Sequence, residues 1–147
     1  MSRVLNPVRA RGFSLIEVLV SIVVLSIGLL GLAALQVSSL RVGQSSFYRA
    51  QAAQLATDMA DRLRANLGAA RTCELGLADA TPTSPTTTCQ RDLVEWRNRL
   101  RALPGGIGGV DVDLAQNTVS ITVQWDDSRG GGATNSTFAL VTRLWGN

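Results

Sequence analysis

A long apolar run near the amino terminus constrains this chain more than any other feature. Residues 13–35 contain a single charged side chain, that of Glu17. As an α-helix the run would be roughly 35 Å long, enough to cross the hydrocarbon core of a bilayer, which is about 30 Å thick. A buried core helix of this length would be unusual in a chain of 147 residues. We therefore predict a membrane-spanning helix, in which a carboxylate is costly.

The basic charge of the chain is concentrated before the apolar run. The formal net charge is +3, and Arg3, Arg9 and Arg11 precede the run, without an acidic residue among them. Positive charge beside a span tends to stay in the cytoplasm, so we predict a cytoplasmic amino terminus and an exported carboxyl-terminal part. The rest of the chain has 11 arginines against 11 acidic residues. This neutrality argues against direct binding to DNA.

The helical pattern continues beyond the apolar run, but its apolar positions narrow to one face. We predict one helix over about residues 13–66, with an amphipathic second half over residues 36–67. Alanines in this half favour the helix. Because only one face is apolar, this half must pack against another part of the chain. Its apolar positions are Leu40, Phe47, Leu55, Met59, Leu63 and Leu67.

Two cysteines bracket most of a segment that is predicted to be a loop, residues 68–88, which is rich in Thr, Ser and Pro. In an exported protein, Cys73 and Cys89 are expected to form one disulfide. Closing a loop of about 17 residues contributes about 3 kcal/mol in the chain-entropy model. The alternatives are two free thiols or half of a metal site. The chain has no His and no other Cys, so zinc would lack a ligand set.

A second, shorter helix is predicted over residues 91–103, before the stop signal Pro104-Gly105-Gly106. Its arginines are either an anion-binding or DNA-binding patch or a solvated helix face. We favour the solvated face, which is the usual role of a run of charges. The apolar stripe consists of Leu93, Trp96, Leu100 and Leu103, and the arginines are Arg91, Arg97, Arg99 and Arg101.

Three strands are predicted between about residues 110 and 145. The sequences VDVDL, from Val110 to Leu114, and TVSITVQW alternate apolar and polar residues. Three residues, 115–117, join them, as in an antiparallel hairpin. TFALVTRLW supplies the third strand, after a loop. Because such a sheet has one apolar face, we predict an α+β fold in which the amphipathic half of the long helix lies across the sheet.

Residues for catalysis are missing from the sequence. Without histidine there is no His-based triad or relay, and there is no P-loop, Gly-x-Ser-x-Gly or dinucleotide-binding motif. We predict that the protein is not an enzyme and uses no cofactor and no metal. The one feature that suggests a cation is a set of aspartates without EF-hand spacing. These are Asp111, Asp113, Asp126 and Asp127.

The start of the apolar run, RGFSLIEVLV, resembles the type IV prepilin signal. It has a basic leader, Gly12, then Phe13, and Glu17 as the fifth residue after the glycine. The resemblance implies that a prepilin peptidase removes residues 1–12 by cutting between Gly12 and Phe13, and that Phe13 is then N-methylated. It also implies the type IV pilin-like fold, a long amino-terminal helix packed on a small antiparallel sheet.

The resemblance also implies a role for Glu17. In filaments of this family the helices form a staggered core, where the carboxylate can meet the amino terminus of a neighbouring subunit. A cation in an apolar surround offsets much of the cost of the buried carboxylate, and it does so only in the correct register. The alternative is a chance polar residue near the cytoplasmic end of the span that snorkels outward.

Later blocks resemble the minor pilins of type IV pili. They are AQAAQLATDMADRLRANLG, DLVEWRNRLRALPGG and VQWDDSRG. This implies a structural subunit that supports pilus assembly, and hence twitching motility and adhesion, with residues 68–147 as a periplasmic head. The implied partners are other minor and major pilins, the prepilin peptidase, the inner-membrane assembly platform and, before assembly, inner-membrane lipid. The implied location is the inner membrane and then the surface filament. The alternative is a minor pseudopilin of type II secretion.

Overall fold

The computed structural model of the chain describes residues 12–144. It divides into two compact units, Met1–Ser39 and Leu40–Asn147. Residues 1–11 of the predicted leader and residue 145, the predicted end of the third strand, lie outside the described residues. The elements in chain order are α1 (Leu15–Ala65), α2 (Leu67–Ala70), α3 (Thr88–Leu100), β1 (Ile107–Asp113), β2 (Thr118–Trp125), a 3₁₀ turn (Ser128–Gly130) and β3 (Ser136–Arg143).

The described part of the first unit is the amino-terminal part of α1 and the short segment before it. All of its side chains from residue 12 to residue 39 are exposed. By length and composition, α1 is the one helix in the described chain that could cross a membrane. The hydroxyls of Ser21 and Ser26 each donate a hydrogen bond of 2.7 Å to the backbone carbonyl four residues earlier. These polar groups are therefore satisfied inside the helix, as an apolar surround requires.

In the second unit, the core forms where α1, α3 and one face of the sheet meet. The small side chains of Ala52, Ala56 and Ala60 are fully buried on α1, which lets other elements approach the helix closely. The indole of Trp96, on α3, is also fully buried, and its Nε1 donates to the carbonyl of Leu55 at 2.8 Å. The bond satisfies the one polar atom of the indole and so avoids the free-energy cost of a buried donor without a partner.

The predicted packing of the amphipathic half is confirmed only in part. Leu55, Met59 and Leu63 are buried. However, Leu40 and Phe47 are 74% and 64% exposed. They precede Ala52, the first residue of α1 that is buried against the rest of the second unit. Leu67 was also predicted to lie on the buried face. It starts the separate helix α2 and is 38% exposed.

Helix α3 begins three residues before its predicted start because of its cap. The Thr87 side chain accepts a hydrogen bond from the Gln90 N–H, and the Gln90 side chain accepts one from the Thr87 N–H. This reciprocal capping box satisfies two of the N–H groups that a helix start leaves free. The predicted apolar stripe is confirmed, although Leu103 lies beyond the end of the helix. Its four members are buried: Leu93, Trp96, Leu100 and Leu103.

The three strands form one antiparallel sheet in the order β1-β2-β3. Their inner faces join the core through Val119, Ile121 and Val123. The α+β fold class is therefore confirmed: a long apolar helix is packed on a small three-stranded antiparallel sheet.

The first hairpin differs from its prediction at the turn. Leu114 is not a strand residue and is 55% exposed. The cause is the side chain of Asp113, whose Oδ1 accepts hydrogen bonds from the N–H groups of Ala115 and Gln116. An aspartate that bonds the following backbone ends a strand and begins a turn. Asn117 completes the turn with a left-handed φ of 56°, which asparagine tolerates better than most residues.

The segment predicted to be a loop is partly ordered by contacts with the rest of the second unit. Cys73 and Cys89 form a disulfide, as the sequence predicts, and both are buried. Leu75 forms an isolated antiparallel bridge with Val110 of β1.

Strand β1 begins earlier than predicted, at Ile107, because Gly108 lets Trp96 and Leu100 pack directly on the strand backbone.

We expect Gly108→Ala to destabilise the second unit by about 1–3 kcal/mol, because the added methyl would overlap the Trp96 ring and the Leu100 Cδ1. Gly43→Ala is the matched control. Gly43 is helical with open space around it, so the same change should stabilise the protein by about 1 kcal/mol. Urea unfolding of the full chain in detergent micelles measures both. Equal effects would contradict the described packing at β1.

Candidate functional site

The first candidate site is the start of α1. Gly12, Phe13 and Ser14 precede the helix, which begins at Leu15. Gly12 is exposed and a Cβ there would meet nothing within 4 Å. The Gly12–Phe13 peptide bond is therefore outside regular structure and open to solvent, as a peptide bond must be to enter the active site of a peptidase.

Phe13 and Glu17 are four residues apart at the start of the helix. Phe13 is 83% exposed, and Glu17 is exposed in the first turn. The Glu17 N–H donates to the Ser14 carbonyl at 3.0 Å. A carboxylate in the first turn interacts favourably with the positive end of the helix dipole. Both residues border a shallow groove along one helix face, lined by Phe13, Glu17, Val18, Ser21, Ile22 and Leu25.

Glu17 makes no ion pair within residues 12–144. It is also the only charged side chain between Phe13 and Leu35. The site therefore combines an unpaired carboxylate, an apolar groove and an accessible peptide bond. All three features are exposed and can be contacted by another protein.

The second candidate site, the arginine face of α3, is partly occupied by contacts within the chain. Arg97 donates to the carbonyls of Gly76, Asp79 and Gly108 at 2.7–2.8 Å. Its partial burial lowers the pKa of its guanidinium. It therefore holds the segment that follows Cys73 against β1, and its guanidinium is unavailable to an anion. We call this set of contacts the Arg97 clamp. This role could not be predicted from sequence, because its partners are backbone carbonyls that become neighbours only in the folded chain.

An ion-pair cluster joins α3 to α1. Arg62 contacts Asp92 and Glu95 of α3 and also Asp58 of its own helix. Arg99 reaches back to Asp58 at 2.6 Å. The hydrogen bond from Arg62 lowers the pKa of the Glu95 carboxyl. Of the four arginines on this face, Arg97 and Arg99 are thus engaged, which weakens the DNA-binding alternative further.

The aspartates that suggested a cation site are used separately. Asp113 caps the hairpin turn, and Asp126 accepts a hydrogen bond from the Ser128 N–H, which lowers the pKa of its carboxyl. Asp127 is buried and accepts a hydrogen bond of 2.5 Å from the Ser45 hydroxyl of α1. No group of three or more potential metal ligands occurs in the part of the chain that the structure describes.

Comparison with known proteins adds one match. Residues 8–33 match the family described as the prokaryotic N-terminal methylation motif. The match supports a type IV pilin-like protein. It covers Gly12, Phe13 and Glu17 together and includes most of the apolar run, residues 13–35. The motif is also compatible with inner-membrane anchoring and with interaction between this chain, other pilins and an assembly machinery. No curated protein and no solved structure matches the chain.

We expect Glu95→Gln to lower the stability of the second unit at neutral pH but not in acid. Arg62 lowers the folded-state pKa of Glu95, so the pair stabilises the fold above the ordinary glutamate pKa of about 4.3 and this contribution is lost as pH falls through the lower folded-state value. Unfolding free energies of wild type and variant in micelles should therefore converge between about pH 5 and pH 2.

Glu74→Gln is the control for this measurement, because Glu74 makes no ion pair within the described residues. A constant difference between wild type and Glu95→Gln at every pH would refute the ion-pair account.

Proposed function

We propose that the protein is a minor pilin of the type IV pilus, similar to the type IV pilus modification protein PilV. In this role it is a structural subunit that supports pilus assembly, as part of a priming or tip complex, and thereby twitching motility and adhesion. The observation that carries the proposal is Glu17, which is the only charged side chain within residues 13–35 and has the motif spacing from Gly12. A structural subunit is also consistent with the lack of catalytic residue sets in the sequence.

Processing is the first step of the proposed function. A prepilin peptidase of the inner membrane cuts between Gly12 and Phe13 and releases the leader, residues 1–12. The new amino group of Phe13 is then methylated. The open Gly12–Phe13 segment, which precedes the first helical turn, supports this step because a peptidase binds its substrate in a locally extended form. N-methylation leaves an amine that can still carry a positive charge.

Assembly is the second step, and its driving force is the pairing of Glu17. Before assembly, residues 13–35 span the inner membrane, where a carboxylate costs a few kcal/mol on insertion scales. In the filament the same residues form part of a helical core, and Glu17 meets the methylated amino terminus of a neighbouring subunit. Because the attraction between these charges is strong in an apolar surround, a subunit in the correct register is favoured over one that remains in the bilayer.

The remaining residues form the exported part. Residues 36–67 connect the span to the head, and residues 68–147 complete the head in the periplasm. An oxidising compartment suits the Cys73–Cys89 disulfide. The proposed partners are other minor pilins, major pilins and the inner-membrane assembly platform. The protein is thus first an inner-membrane protein, with a cytoplasmic amino terminus, and then a component of the surface filament.

A minor pseudopilin of type II secretion is the second candidate, because the matched motif supports a pilin-like protein or a pseudopilin equally. The two candidates differ in where the protein ends up. A minor pilin is recovered in filaments sheared from the cell surface, whereas a pseudopilin stays in the envelope and its loss abolishes secretion of exported enzymes. Fractionation of a deletion strain complemented with the tagged chain separates them.

We expect Glu17→Gln to be inserted and cleaved normally but to enter sheared filaments about tenfold less than wild type, a loss of about 1.4 kcal/mol. The neutral amide is close in shape but cannot form the ion pair. Ser26→Ala is the matched control, since its hydroxyl only bonds its own helix backbone. Quantitative immunoblots of the filament and membrane fractions measure this ratio. Equal incorporation of Glu17→Gln and wild type would refute the assembly role.

A further inference from the structure

The two edges of the sheet differ sharply in how they are protected. At the β1 edge, Val110 exchanges two backbone hydrogen bonds with Leu75, at 2.8 and 2.9 Å. The next outward carbonyl, that of Gly108, accepts from Arg97 at 2.7 Å. This edge is therefore covered by the chain itself at Gly108 and Val110. An open sheet edge is a template for pairing with another strand, and proteins usually block it.

The β3 edge is open. Leu144 N–H donates to the Asn117 carbonyl at 3.2 Å, in register with the β2–β3 pairing. Inward and outward groups alternate along an antiparallel strand, so the N–H and C=O groups of Thr137, Ala139 and Val141 point away from β2. No backbone bond to any of these outward groups is formed within residues 12–144.

The side chains of β3 do not protect this edge. Residues 136–142 include no charged residue and no proline, the two commonest protections of an edge strand. Val141 is 66% exposed, while Phe138 and Leu140 are only partly buried against the core. The closest protection is at the end of the strand, where Arg64 donates to the Arg143 carbonyl at 3.4 Å.

We propose that the β3 edge is a docking site for an extended strand of a different pilus subunit, which adds to the sheet as a fourth strand. The outward N–H and C=O groups of β3 supply the hydrogen bonds. The occupant is uncharged along most of its length, with apolar side chains beside Phe138 and Leu140. Where it passes Arg143, whose exposed guanidinium forms no ion pair within the described residues, it carries a carboxylate.

That the partner is a pilus subunit rests on the proposed function. That it is a different subunit, and not a second copy of this chain, follows from symmetry. Antiparallel pairing of β3 with its own copy places a two-fold axis perpendicular to the sheet. This axis would reverse the direction of the α1 segment that packs on the sheet in the second copy. Subunits inserted into one membrane from the same side need these helices to run in the same direction. A different chain with its own strand direction avoids the conflict.

The test uses the full chain in detergent micelles and a fluorescent probe peptide, Asp-Val-Thr-Val-Thr-Val-Thr. In antiparallel pairing its aspartate faces Arg143 and its valines lie beside Leu140 and Phe138. We expect saturable binding that weakens about tenfold with Ala139→Pro, which removes an outward N–H and no ladder bond. Ala139→Thr, which keeps the N–H, should bind as wild type does. Replacing the aspartate of the probe by lysine should also weaken binding.

A second measurement does not depend on how the proline variant folds. The probe N-methylated at its third and fifth residues lacks the two central donors that face β3, those opposite Val141 and Ala139, and should not bind wild type. Equal binding of the methylated and unmethylated probes, or no binding of the unmethylated probe, would overturn the proposal. So would oxidative cross-linking of Ala139→Cys to its own copy in membranes, which would identify a second copy as the occupant. Filament incorporation is not measured here, so failure of this test leaves the proposed function unaffected.

Discussion

One continuous helix, α1, has to suit two surroundings, and the rest of the structure depends on this constraint. Up to residue 39 its side chains are exposed, and those of residues 13–35 are apolar on every face except for Glu17, the serines and two glycines. From Ala52 onward only one face is buried. The first part has no partner in its own unit and needs lipid or other helices around it. The second part carries the core of the second unit.

The second unit is built around the small buried residues of α1. Ala52, Ala56 and Ala60 leave room for close packing, and Trp96 fills part of that room while bonding the helix backbone at Leu55. The ion pairs of Arg62 hold α3 on the same helix. The disulfide and the Arg97 clamp then hold the segment between α2 and α3 against the β1 edge. On β3, the outward groups of Thr137, Ala139 and Val141 form no backbone bond within residues 12–144.

Much of this fold could be predicted from the sequence, because periodicity reports which face of an element is buried. The stripe on α3 and the positions Leu55, Met59 and Leu63 follow directly from it. Periodicity cannot report how far a partner surface extends, so Leu40 and Phe47 were wrongly placed in the core. The roles of Arg97 and Asp127 were also missed, since their partners are distant in sequence. The candidate site at the start of α1 could be predicted, because the residues of its motif, from Gly12 to Glu17, are close together in the sequence.

The most direct test of the account is peptide mass spectrometry on sheared, washed filaments. We expect a peptide that begins at Phe13 and carries one additional methyl group on its amino terminus. Such a peptide would connect cleavage after Gly12, methylation and incorporation in one observation. A chain that begins at Met1 or Ser2 and occurs only in the membrane fraction would contradict the account. The protein would then be a membrane-anchored exported domain whose Glu17 has no amino terminus to meet.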